Sequence, residues 1–154
     1  MTFAADDAAF LDRLDEELRL ARAPTPKLFS KLVATMCTRV PRLNTACAAA
    51  RIENLAGAGA CADAALLLVE LAIPAWKVRR LVREDGEWLC SLSRRAHLPI
   101  ALDEPAEATH ESLPLAILRA FLQVHRNVVA GPCAARVPQV QPMPERMICC
   151  DNFA

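Results

Sequence analysis

Apolar positions along this chain follow a helical period almost everywhere, except in one stretch where they alternate. Residues 5–22 place Phe10, Leu11, Leu14, Leu18 and Ala21 at helical spacing, with Asp7, Asp12, Asp15, Glu16 and Glu17 largely on the other side. That is an amphipathic helix with a solvated acidic face. Ala23-Pro24-Thr25-Pro26 breaks it. Thr25 is placed to cap a second helix with Pro26 at its first position. Leu28, Phe29, Leu32, Val33, Met36, Cys37 and Val40 then form a regular stripe, suited to a core or subunit-contact face, and Pro41 ends it.

Asn44 can cap a third helix over about 45–56, which stops at Gly57. Gly57 and Gly59 match part of a dinucleotide-binding loop, but no strand precedes them and the third glycine is missing, so they predict a turn between helices. A fourth helix, about 62–73, is apolar nearly all round (Leu66, Leu67, Leu68, Val69, Leu71, Ile73) and is expected to be the central buried helix. Pro74 ends it.

The alternating stretch is Trp76 to Arg94. Asp85-Gly86 between two runs of Val, Leu and Trp predicts a β-hairpin over about 76–94. A two-residue turn would set Glu84 against Glu87, a like-charge pair, and Arg83 against Trp88. A three-residue loop, Glu84-Asp85-Gly86, with a glycine bulge sets Arg83 against Glu87 instead. It also sorts Trp76, Val78, Val82, Trp88, Cys90 and Leu92 onto one face, with Leu81 opposite Leu89 on the other. The bulged register is the expectation. Its one exception is Arg80, a cation opposite Cys90 on the apolar face.

After Arg94 the sequence predicts a loop with His97, Pro99, Asp103, Glu104, Pro105 and Glu107, acidic where the hairpin is basic. Thr109 or Ser112 caps a last helix with Pro114 in its first turn, whose Leu115, Ile117, Leu118, Phe121, Leu122 and Val128 cover the hairpin. From Gly131 onward Pro132, Pro138, Pro142 and Pro144 crowd a stretch without apolar period. The expected organisation is one α+β domain over 1–130, an N-terminal helical bundle with a hairpin packed on a following helix, and a disordered 131–154 tail.

Composition narrows the function classes. Lys+Arg and Asp+Glu balance at 18 each, so no global field steers the chain to nucleic acid or an anionic membrane. The longest apolar region, Leu55 to Ile73, is broken by Asp63 and Glu70 and predicts a core helix in place of a membrane span. Asp6 and Asp7 replace the basic start of a signal peptide, and the seven cysteines are odd in number and scattered, which fits a reducing cytoplasm. Cys37, Cys47, Cys61 and Cys90 occupy positions for small buried hydrophobes, while Cys149 and Cys150 lie in the tail.

The core resembles a group of small bacterial proteins of unassigned function. The likeness is carried by Trp76-Lys77, Arg79-Arg80-Leu81, Asp85-Gly86-Glu87-Trp88, Cys90 and Leu92-Ser93-Arg94. It extends to Leu98-Pro99 and to His110-Glu111 with Leu113-Pro114-Leu115-Ala116-Ile117-Leu118. The resemblance implies a shared fold over about 60–125 and no catalytic role. The helix–hairpin–helix order is also similar in layout to small phage ABA-sandwich domains, which implies no site residue.

Three surfaces or groups carry candidate chemistry. Arg80 among Trp76, Trp88 and Cys90 is either a snorkelling or acid-paired side chain or a buried receptor for an anion. Cys90 beside Arg80 is a candidate thiolate with His97 and His110 as bases, or with them a zinc site, though the ligand spacing of a zinc motif is missing. Lys77, Arg79, Arg83 and Arg94 form a basic face that could meet phosphates or pair with the acidic 103–111 loop. The free hairpin edges permit pairing with another chain. The expected role is a non-enzymatic cytoplasmic interaction or adaptor module, with a homodimer as one form it could take. A nucleic-acid-associated protein and a Cys90-dependent enzyme are the alternatives. No cofactor, metal or membrane partner is expected.

Overall fold

The computed structural model describes residues 3–43 and 46–129. The chain is α+β and mainly helical. Helix α1 spans Phe3–Leu20, α2 Pro26–Cys37, α3 Ala46–Gly57 and α4 Cys61–Ala72. Strands β1 (Lys77–Glu84) and β2 (Glu87–Ser93) form the hairpin, β3 (Ala106–His110) follows, and α5 (Leu113–Val129) closes the fold. The Asn44 cap and the tail from Gly131 lie outside the described residues.

Local chemistry explains most boundaries. Thr25 caps α2 as expected, its Oγ1 accepting from the Leu28 amide at 3.4 Å, with Pro26 at the first turn where no amide bond is lost. The α2 stripe is core: Leu28, Phe29, Leu32, Val33 and Met36 are all buried. The helix stops at Cys37, short of Val40, and the chain tightens into a single 3-10 turn over Pro41–Leu43. Ser112 precedes α5 and its carbonyl accepts the first helical bond, from Ala116.

Two expectations need correcting. The central helix is α5, because it packs at once on β2, β3, α1 and α4. Leu115, Ala116, Ile117, Leu118, Ala120, Phe121 and Leu122 are wholly buried along it, and only Val128 of the expected covering residues is exposed. Helix α4 buries Ala64, Ala65, Leu68 and Val69 on one side and leaves Leu66, Leu67 and Leu71 half-exposed. The predicted acidic loop also contains a strand. Ala106–His110 pairs antiparallel with β2, giving a three-stranded sheet in the order β1-β2-β3. Only the β1 edge of the hairpin is therefore left without a neighbour among the described residues.

Candidate interaction surface

The hairpin turns in two residues, not three. Asp85 (φ 51°) and Gly86 (φ 89°) both adopt the left-handed region, the requirement of a type I′ turn whose twist matches that of paired strands. Glu84 then lies opposite Glu87, Arg83 opposite Trp88, Val82 opposite Leu89, Leu81 opposite Cys90 and Arg80 opposite Ser91. The like-charge pair at the tip is solvent-exposed and Arg80 neutralises Glu84 at 2.9 Å, so the repulsion is too weak to overrule the turn.

The extra residue sits elsewhere. A β-bulge falls between Val78 and Arg80, and below it Val78 faces Leu92 and Lys77 faces Ser93, the pairing of the expected register. Above the bulge every expected facing is shifted by one. Trp88, Cys90, Leu92, Ala106 and Ala108 join the core with Leu81, whereas Val82 and Leu89 turn to the face away from α5.

This redistributes the predicted site residues. Arg80 does not enter the apolar cluster; it is half-exposed on the far face and held by Glu84. Trp76 and Trp88 remain half-buried against the core, and Cys90 is fully buried opposite Leu81. Arg80 is thus not brought together with Trp76, Trp88 and Cys90. Arg83 moves to the α5 side, its guanidinium carbon 6.0 Å from the Trp88 ring centroid. Lys77 and Arg94 are exposed at the base of the hairpin. The four basic residues consequently do not share one face.

Arg79, at the bulge, is drawn inward. Its Nη1 donates to Asp103 Oδ2 at 2.6 Å and its Nη2 to the Leu98 carbonyl at 2.7 Å, with both side chains largely shielded from solvent. Ser93 Oγ accepts from the Arg95 amide. The Ser93 hydroxyl and then the Arg79 guanidinium hold the Asp103 carboxyl below its ordinary value, against a desolvation penalty. The acidic loop does pair with a cation of the expected basic face, Arg79, whereas Arg80 pairs with Glu84 of its own strand.

Burial dominates the thiol. Among the described residues no charged group shifts Cys90, and desolvation pushes its pKa up to about 12, so it stays a neutral thiol at physiological pH. His97 is exposed; His110 is buried and its Nδ1 accepts from the Ser112 amide at 2.9 Å. No group of three potential metal ligands comes together among the described residues.

A polar cleft of about 390 Å³, between α1, β3 and α5, was not anticipated from the sequence. Arg119 bridges Asp15 at 2.9 Å and the Thr109 carbonyl at 2.7 Å, and Arg126 reaches Asp12 and Asp15. These arginines are engaged in tying α1 to α5. The acidic face of α1 is therefore only partly a solvated one. The signal was available as Arg119, Gln123 and Arg126, three polar residues at helical spacing on a helix whose other faces are largely apolar.

The remaining feature is the edge of β1. The strand runs for eight residues, its principal packing partner is β2, and no helix among the described residues is laid along it. No helix among the described residues is long and apolar enough to cross a membrane. Comparison with known families, with curated proteins and with solved structures finds no match. The likenesses drawn from the sequence therefore add no site residue.

Proposed function

We propose that this chain is a cytoplasmic protein-interaction module without catalytic chemistry of its own, and that it engages its partner through the β1 side of the hairpin. The observation that carries this reading is the edge of the eight-residue strand β1, which among the described residues pairs with β2 and with no other strand. An open strand edge is a template for another chain. Cys90, the thiol singled out by its sequence context, is sealed in the core, which favours binding over nucleophilic chemistry. The described cysteines are free thiols, as suits a reducing compartment. Nucleic-acid binding is the weaker reading because Arg79 is occupied by Asp103 and Arg83 by Trp88.

The test is site-specific photo-crosslinking in cells. A benzophenone side chain at position 80, on β1, is compared with one at position 51, on the exposed part of α3. A discrete protein adduct from position 80 and none from position 51 is expected. Adducts with nucleic acid alone, or none at either position, would overturn the reading.

A further inference from the structure

We infer that the β1 edge, unpaired among the described residues, pairs with a second copy of the same strand, antiparallel and centred on Val82, to join two sheets into one of six strands. This rests on the interaction reading above and names its partner. The two-residue turn fixes which groups are free. The pair closing such a turn, Glu84 with Glu87, is the hydrogen-bonded kind, and the kinds alternate along an antiparallel ladder. Arg80 and Val82 therefore spend their amides and carbonyls on β2, while Leu81 and Arg83 direct theirs outward. The bulge at Arg79 interrupts this repeat, so the regular free edge is Arg80–Glu84.

Outward-directed residues must face one another across the new pairing, which leaves few registers. Setting Leu81 against its own copy leaves Arg80 opposite Val82 and carries Glu84 past the regular edge of the other strand, so that its charge finds no partner there. Setting Arg83 against its own copy leaves Glu84 opposite Val82 and Arg80 opposite Gly86. Setting Leu81 against Arg83 places Val82 on the two-fold axis and Arg80 opposite Glu84 twice. The Arg80 end of one strand lies along the Glu84 end of the other, as an isologous interface requires. The half-buried Val82 and Leu89 on the face away from α5 would form one apolar strip across the axis.

The Arg80–Glu84 bond within each chain is no obstacle. Both side chains are about half-exposed, at 49% and 61%, and an exposed pair of this kind is readily exchanged for an equivalent one between chains. The mixed charges on β1 then act as a filter, disfavouring misaligned pairings. So short an edge places the dimer among weak, transient associations, sensitive to salt.

Sedimentation of the full chain over a range of concentration and salt tests this, with R80E and E84K as variants. Wild type is expected to be a reversible dimer that dissociates on dilution and more readily at high salt. Each variant alone sets like charges across the axis and is expected to weaken the dimer about tenfold or more, from two repulsive pairs in place of two attractive ones. In an equimolar mixture of R80E and E84K, the introduced acid of one chain faces the introduced base of the other. The native Glu84 of the first then faces the native Arg80 of the second, while the bond within each chain stays broken. Recovery of the dimer in the mixture is the expected result. A monomer at all concentrations, a dimer indifferent to both reversals, or a mixture that stays monomeric would each overturn the pairing. A crosslink from position 80 to a different protein, together with a monomer, would retain the interaction reading and discard self-pairing.

Discussion

Arg79 and Asp103 meet at 2.6 Å across a separation of 24 residues, and their contact pins the β1 bulge to the loop leading into β3. The Asp103 carboxyl is held below its ordinary value of 3.8 by the Ser93 hydroxyl and by Arg79. A carboxylate with a depressed pKa stabilises the fold fully above its unfolded value, and that stability is lost as pH falls through the lower, folded value. Asp103→Asn should lower the melting temperature at pH 7 and flatten the loss of stability below about pH 4. Urea titrations between pH 3 and pH 7 check this. Parallel profiles for wild type and variant would show that the contact contributes nothing to the acid limb.

Gly86 occupies φ 89° at the hairpin tip, and a methyl group added there would meet nothing within 4 Å. The cost of Gly86→Ala is therefore conformational and not steric. A left-handed residue other than glycine costs about 1 kcal/mol, and the substitution should lower the unfolding free energy by that much, seen as a lower urea midpoint with an unchanged slope. No measurable loss would mean that the turn is not of the left-handed two-residue kind.

The hairpin shows what sequence can and cannot resolve. Asp85-Gly86 between apolar runs marks the element, and the demand for clean sorting of faces correctly implies one extra residue. Its position comes out wrong when a pairwise repulsion at Glu84–Glu87 is weighed above the turn geometry. Solvent and Arg80 make that repulsion small, whereas Arg79 gains a buried partner when the bulge forms beside it. Strand β3 is not legible because Ala106–His110 has little β propensity; β2 and α5 impose its conformation from either side. Likewise α4 outranks α5 in apolar content, yet α5 is central because more elements pack on it.

That centrality is measurable. Phe121 is completely buried on α5, and Phe121→Ala should cost about 3–5 kcal/mol. Leu66→Ala on the half-exposed side of α4 should cost clearly less than the roughly 2–5 kcal/mol of a fully buried leucine, about 1 kcal/mol. Equal losses in chemical denaturation would contradict the asymmetry between the two helices.

The same burial governs thiol reactivity. Cys47 is exposed on α3, Cys37 and Cys61 are half-buried, and Cys90 is buried with its pKa raised to about 12. In the native protein at neutral pH, alkylation followed by peptide mass spectrometry should modify Cys47 first among these four and leave Cys90 unmodified until unfolding. Cys90 labelling as fast as Cys47 would revive the case for a reactive thiol.

His125 supplies the neutral-pH counterpart to Asp103. Its ring meets Phe121 edge-on at 4.7 Å between centroids, and its buried Nε2 has no hydrogen-bond partner among the described residues. Burial first, and the Arg39 charge second, lower its pKa below the ordinary 6.5. Because the folded state resists protonation, the unfolded chain binds more protons as pH drops below about 6.5, and stability falls with it until the folded histidine also titrates. His125→Phe keeps the aromatic contact and removes the titration. The variant should lose less stability than wild type between about pH 7.5 and about pH 5.5, and should match or exceed it at the lower value. Urea midpoints at the two values decide the matter: an equal drop in both proteins would place the acid sensitivity in other groups.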